Sequence, residues 1–132
     1  MKRYMLDTNT VSHLIKEHPT VARHVVAAPM ASLCVSAITE GELLFGLAKR
    51  SDAKRLHLAV WELLRRVDVL PWDSAIAEHY GTVRADMERQ GKILAPLDLL
   101  IATHALGVGA ILVTNDRAFG QVADLHLEDW TN

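Results

Sequence analysis

The sequence has 132 residues, half of them apolar and 23% charged, which fits one globular domain and excludes a disordered chain. A single cysteine, Cys34, excludes an internal disulfide framework and a cysteine-rich zinc site. The net charge is −2, from 14 basic and 16 acidic residues, so this is not a basic coat for nucleic acid, and any such role must rest on a local site. A chain of this size buries roughly two-thirds of its unfolded surface, enough for a core without staples. The apolar run before Asp7 is far too short for a signal peptide, and no stretch approaches the ~18 apolar residues of a membrane span. The expected location is the cytoplasm.

No repeat, low-complexity run or linker is visible, and Pro19, Pro29, Pro71 and Pro96 read as punctuation between elements. Residues 3–6 predict a short strand ending at Asp7. Val11, Leu14 and Ile15, then Val21 and Val25, predict helices over 10–16 and 20–28. Leu33–Val35 reads as a second strand and 38–49 as a helix with Leu43, Leu44 and Leu47 on one side. Leu56, Val60 and Leu63 predict a helix over 54–66, followed by a strand at Val67–Leu70. Ile76, Tyr80, Val83 and Met87 recur at 4, 3 and 4 and predict an amphipathic helix over 74–90. Pro96 leads into an apolar helix over 97–107, Ala110–Val113 is the most strand-like run, and Leu125–Leu127 is expected to form a last edge strand. Short apolar strands alternating with helices predict an α/β fold, a short parallel β-sheet flanked by helices on both faces. In such folds the working site lies outside the carboxyl ends of the strands.

Two acids stand there. Asp7 follows the first strand in Leu6-Asp7-Thr8-Asn9, and Asp116 follows another in Val113-Thr114-Asn115-Asp116. Asp98 lies near the start of a helix behind Pro96, and that end faces the same edge. Each has a bland reading: Asp98 as a first-turn acid favoured by the helix dipole, Asp7 and Asp116 as helix caps. Glu42 lies on the line Ile38–Glu42–Phe45, but Glu40 also has leucines beside it, and periodicity does not choose between the two. Without these four acids the balance is 14 basic to 12 acidic. If they meet, two carboxylates ~5 Å apart repel by about 3 kcal/mol at an effective dielectric of ~20. Protons are then taken up or a cation sits among them. An all-oxygen site suits Mg²⁺ or Mn²⁺ and not zinc. The matching reaction is phosphodiester hydrolysis.

Met5-Leu6-Asp7-Thr8-Asn9, Glu40-Gly41-Glu42-Leu43-Leu44-Phe45-Gly46, Pro96-Leu97-Asp98-Leu99-Leu100-Ile101-Ala102 and Val113-Thr114-Asn115-Asp116-Arg117-Ala118-Phe119 together resemble the PIN-domain ribonucleases, and more closely the VapC toxins of bacterial toxin–antitoxin pairs. The resemblance spans essentially the whole chain in order and spacing. It implies a single three-layer PIN-like domain over 1–132 and an Mg²⁺-dependent endoribonuclease. It places the four family acids on Asp7, Glu42, Asp98 and Asp116, which settles the choice between Glu40 and Glu42. Asn9, Thr114 and Asn115 fall where the family keeps polar groups that orient the acids. It also implies a homodimer, a VapB-type antitoxin that brings the DNA-binding part, and a structured RNA substrate, often tRNA. Asp7 and Asp98 are then the principal metal ligands, with Asp116 binding directly or through water. Glu42 positions a second cation or the attacking water. Attack by water leaves a 5′-phosphate and a 3′-hydroxyl without a histidine pair.

The seven histidines show no metal-ligand spacing such as His-Glu-x-x-His; His104 reads as packing, Cys34 as a small core residue, and Met5, Met30 and Met87 as core or interface filler. Lys49, Arg50, Lys54, Arg55, Arg65 and Arg66 read as a solvated face, with Arg84, Arg89, Lys92 and Arg117 as further candidates for RNA-backbone contact. Trp61, Trp72 and Trp130 either stack on bases or fill a core or interface. Two competing readings are weaker. A haloacid-dehalogenase-type phosphatase wants a second Asp two residues after Asp7, where Asn9 stands, and a lysine near the later acids, which 98–116 lacks. A non-catalytic, receiver-like domain wants its Asp after a middle strand, and Leu70-Pro71-Trp72-Asp73 is a poor match.

Overall fold

The computed structural model describes residues 2–132. Five strands, β1 (Tyr4–Leu6), β2 (Leu33–Ser36), β3 (Asp68–Leu70), β4 (Ile111–Val113) and β5 (Leu127–Glu128), form one sheet in the order β3-β2-β1-β4-β5. Every pairing is parallel, with Met5 opposite Cys34 on one side and Leu112 on the other. Six helices join them: α1 (Thr8–Ile15), α2 (Pro19–Ala27), α3 (Ala37–Ala48), α4 (Lys54–Arg66), α5 (Ser74–Arg89) and α6 (Pro96–Val108).

The central strands are buried on both faces, so they read as unbroken apolar runs, and their alternation sorts two cores. Leu6, Leu33, Val35 and Val113 pack under α1 to α4 with Val11, Leu43, Leu47, Val60 and Leu64. Met5, Cys34 and Leu112 face the other way and pack with Met87, Leu99, Ile101, Ala102 and Ala105 of α5 and α6. The result is the three-layer arrangement predicted above. α6 is apolar nearly all round because it lies between the sheet and α5. It stops at Gly109, whose φ of +69° supplies the left-handed cap.

The predicted helices match α1 to α6 to within two residues at each end. The edge strand expected at Leu125–Leu127 lies later, at Leu127–Glu128, because Asp124 takes a left-handed φ of +66° and the chain is still turning there. Two short 3-10 turns, Met30–Ser32 and Arg117–Gln121, carry no helical periodicity and were not legible. Met30 is exposed, unlike the buried Met5 and Met87. Trp130 is buried and stacks on His24 at 5.3 Å, Trp72 donates its indole N–H to the Leu100 carbonyl at 3.0 Å, and Trp61 is exposed.

The strand order fixes where a site can form. From β1 the chain steps outward to β2 and β3, then crosses back over β1 to β4 and β5. The order reverses between β1 and β4, which leaves a crevice at their carboxyl ends.

Candidate active site

Asp7 and Thr114 are the residues that follow paired Leu6 and Val113, so each leaves its strand at the rim of that crevice. The Asp7 N–H still donates to the Val113 carbonyl at 3.1 Å, and the Thr10 hydroxyl donates to the same carbonyl at 2.8 Å. Two bonds therefore lock the loop after β1 to the end of β4. Asp7 also caps α1: its Oδ1 accepts the Thr10 N–H at 2.7 Å. Asp116 caps the 3-10 turn that follows β4 by accepting the Ala118 N–H at 2.9 Å, and its own N–H donates to the Thr114 hydroxyl at 3.0 Å. The capping roles are real, and they do not compete with a second role. A cap occupies one lone pair of a carboxylate and fixes the direction of the rest.

Glu42 arrives from α3, which starts at the carboxyl end of β2 with Ser36 as its cap. Its Oε1 accepts a 2.7 Å hydrogen bond from the Thr8 hydroxyl, which lies 3.3 Å from the buried Thr39 hydroxyl. Asp98 sits in the first turn of α6. Its carboxyl is pushed above the ordinary 3.8 first by burial, and then by the negative charges of Asp116, Glu42 and Asp7. Asp7, only 2% exposed, is likewise pushed up, mainly by burial with Asp116 adding to it, against the lowering effect of Thr114 and Thr10. Four carboxylates separated by up to 109 positions in sequence thus share one electrostatic field.

Among the described residues no three acidic, histidine or cysteine side chains form a closed ligand cage. The donor chemistry nonetheless fits a hard divalent cation: every donor is an oxygen, and a cation among them would relieve both the desolvation of Asp7 and the repulsion on Asp98.

The other candidates divide. Thr114 is buried at the centre of the site. Asn9 and Asn115 are exposed, and their side chains enter none of the hydrogen bonds among the described residues. The acids are held instead by the Thr8 hydroxyl on Glu42, the Thr10 N–H on Asp7 and the Thr114 hydroxyl beside Asp7 and Asp116, with Thr39 behind Thr8. The signal for Thr39 was its place one helical turn before Glu42, on the same side of α3. Arg84 and Lys92 line a cleft of about 200 Å³ with Tyr80, Pro96 and Leu99, beside the helix start that carries Asp98. Arg84 also bonds Tyr80 and Glu88 there. Arg89 pairs with Asp86, and Arg117 is exposed next to Asp116. Lys49, Arg50, Lys54, Arg55, Arg65 and Arg66 are all exposed, the last two paired with Glu62.

The PIN domain family model matches residues 4–125. The chain is 41% identical to the tRNA(fMet)-specific endonuclease VapC of Shigella flexneri, over 99% of this chain and 100% of that protein. It is 36% identical to ribonuclease VapC2 of Haemophilus influenzae, over 98% and 99%. Among solved structures it is similar to DNA-bound VapBC from Salmonella typhimurium, with a TM-score of 0.91, 35% identity and coverage of 98% and 99%. A second is VapBC2 from Rickettsia felis bound to a promoter DNA fragment, with a TM-score of 0.89, 31% identity and coverage of 96% and 98%.

Proposed function

The chain belongs to the PIN-domain family, among its VapC endoribonucleases, and on that premise we propose that it is the toxin of a toxin–antitoxin pair that hydrolyses structured RNA, tRNA above all, with Mg²⁺ or Mn²⁺ held by Asp7, Asp98, Asp116 and Glu42. The observation that carries this is the field shared by the four acids at the crevice between β1 and β4. One relative is named for tRNA(fMet), which supports tRNA as the substrate class.

The bound cation supplies charge neutralisation and Lewis acidity toward water and a phosphate oxygen. The rest falls to the protein. Asp7 is held by the Thr10 N–H in one orientation, so it needs no reorganisation when substrate arrives. Asp98 comes from a helix start, where the dipole offsets part of the repulsion from its neighbours. Asp116 is braced by Thr114 and by its own cap. Glu42, with one oxygen held by Thr8, keeps the other for orienting the attacking water or a second ion. Water as nucleophile leaves a 5′-phosphate and a 3′-hydroxyl. Asn9 and Asn115, which are exposed, would meet substrate or outer waters. Lys92, Arg84, Arg89 and Arg117 would contact the RNA backbone.

The partners follow the same reading: a VapB-type antitoxin, as in the VapBC neighbours, a homodimer, and contact with DNA only through the antitoxin. Action on tRNA places the proposed reaction in the cytoplasm; no helix among the described residues is long and apolar enough to cross a membrane.

The test is incubation with total tRNA and with a phosphate monoester, with Mg²⁺ and with chelator. Mg²⁺-dependent cuts bearing 5′-phosphates, lost in Asp98→Asn, support the reading. Monoester turnover, or RNA cuts that survive chelation, would overturn it.

A further inference from the structure

The helix that carries Asp98 also carries a buried histidine that the chemistry above does not use. His104 is fully buried in α6, and its Nδ1 shares a 2.7 Å hydrogen bond with Ser36 Oγ. Ser36 is the last residue of β2 and the cap of α3, its Oγ also accepting the Ile38 N–H at 3.1 Å. This one contact joins the helix that carries Asp98 to the helix that carries Glu42, across 68 positions of sequence. Both acids lie six residues from the tie along their own helices, about 9 Å at 1.5 Å per residue. With arms of that length, a tilt of about 6° at the tie moves a carboxylate by about 1 Å, and displacements of that size cost on the order of 100-fold in positioned chemistry.

A second contact holds α6 in place from outside: Trp72 donates its indole N–H to the Leu100 carbonyl. The His104 Nε2 has no partner. Burial holds the imidazole below its ordinary 6.5, against a weaker opposing pull from Asp73. A neutral ring is the form that such a site tolerates. An apolar side chain would fill the space without an orphaned nitrogen, so packing alone does not account for a histidine here.

We infer that His104 is a positioning residue of the acid site, whose hydrogen bond to Ser36 sets the separation of Asp98 and Glu42 and so tunes affinity for the divalent ion. The inference rests on the metal-dependent reading above.

The experiment measures Mn²⁺ binding to the full-length protein by electron paramagnetic resonance, together with thermal unfolding. The variants are His104→Leu, which keeps bulk without the hydrogen bond, and His104→Asn, which keeps a polar group near the Nδ1 position. Both are expected to unfold at lower temperature. Only His104→Leu is expected to weaken Mn²⁺ binding, by about tenfold, with kcat falling more than KM rises; His104→Asn recovers most of the affinity. Should His104→Leu not fold, Ser36→Gly removes the same bond from the other side while glycine remains a tolerated helix cap, and the same loss of Mn²⁺ affinity is expected. Wild-type Mn²⁺ affinity in His104→Leu or Ser36→Gly overturns the inference. Equal losses in His104→Leu and His104→Asn overturn it as well, since packing would then explain both. A wild-type protein that binds no Mn²⁺ overturns the metal reading itself.

Discussion

The Thr8 hydroxyl donates a 2.7 Å hydrogen bond to Glu42, joining the first residue of α1 to the middle of α3. The residue next to Asp7 thereby positions the acid that arrives from a different helix. Thr8→Val keeps the shape and removes the donor. We expect kcat on tRNA to fall about tenfold, equivalent to about 1.4 kcal/mol, with Thr8→Ser restoring most of it. Single-turnover cleavage assays check this, and unchanged turnover in Thr8→Val would show that Glu42 needs no such support.

Asp98 is raised above 3.8 in the folded chain by burial and by three like charges. The sign follows from linkage: a raised carboxyl contributes stability below its unfolded value and loses that contribution as the pH climbs through its folded value. Metal-free protein is therefore less stable at neutral pH than this group would allow in its protonated state. Asp98→Asn removes that loss. In chelator at pH 7 the variant should unfold a few degrees above wild type, with a smaller gap at pH 4, and Mg²⁺ should raise the wild-type midpoint more than the variant's. Calorimetry across pH measures it. A variant less stable than wild type at pH 7 contradicts repulsion among the acids.

Asp7 and Asp116 differ in depth, Asp7 being 2% exposed and Asp116 only half-buried. Substituting the buried one leaves the centre of the cluster without its fixed oxygen. Asp7→Asn should lower kcat by about 1,000-fold and Asp116→Asn by less, in the ~100-fold range that removal of a single electrostatic contact at an active site produces. Rates in saturating Mn²⁺ distinguish the two: partial recovery is expected for Asp116→Asn only. Full activity of Asp7→Asn would remove this residue from the reaction.

Gly107 separates the packing of α5 on α6 from the chemistry. A Cβ placed there would sit 2.5 Å from Ile76 Cδ1 and 3.2 Å from the His79 ring. Gly107→Ala gains about 1 kcal/mol in helix propensity and loses about 1–3 kcal/mol to overpacking. The expected net is a loss of at most about 2 kcal/mol by denaturant unfolding, with kcat on tRNA unchanged. A drop in kcat without a drop in stability would mean that this helix contact reaches the acids.

Much of the fold was legible because its elements are locally encoded. Ile76, Tyr80, Val83 and Met87 mark the inner side of α5 by spacing alone, and apolar runs bounded by Gly109 and Thr114 mark β4. The late start of β5 was not legible, since it depends on the left-handed turn at Asp124. At the site, Asp7 and Asp116 stood out as acids closing apolar strands. Neither periodicity nor spacing separated Glu42 from Glu40, and Phe45, on the supposed apolar line of Glu42, is 62% exposed. What distinguishes Glu42 is the Thr8 hydroxyl brought to it from another helix.

The amino-acid order by itself determined a parallel α/β sheet and three acids, Asp7, Asp98 and Asp116, at its carboxyl edge, because strand alternation and helix spacing are short-range patterns. The tertiary structure alone decided which acids share one field, which hydroxyls brace them, and that His104 ties two acid-bearing helices through Ser36. Those relations depend on where the strand order reverses and on how α3 and α6 cross it, and no window of neighbouring residues contains either.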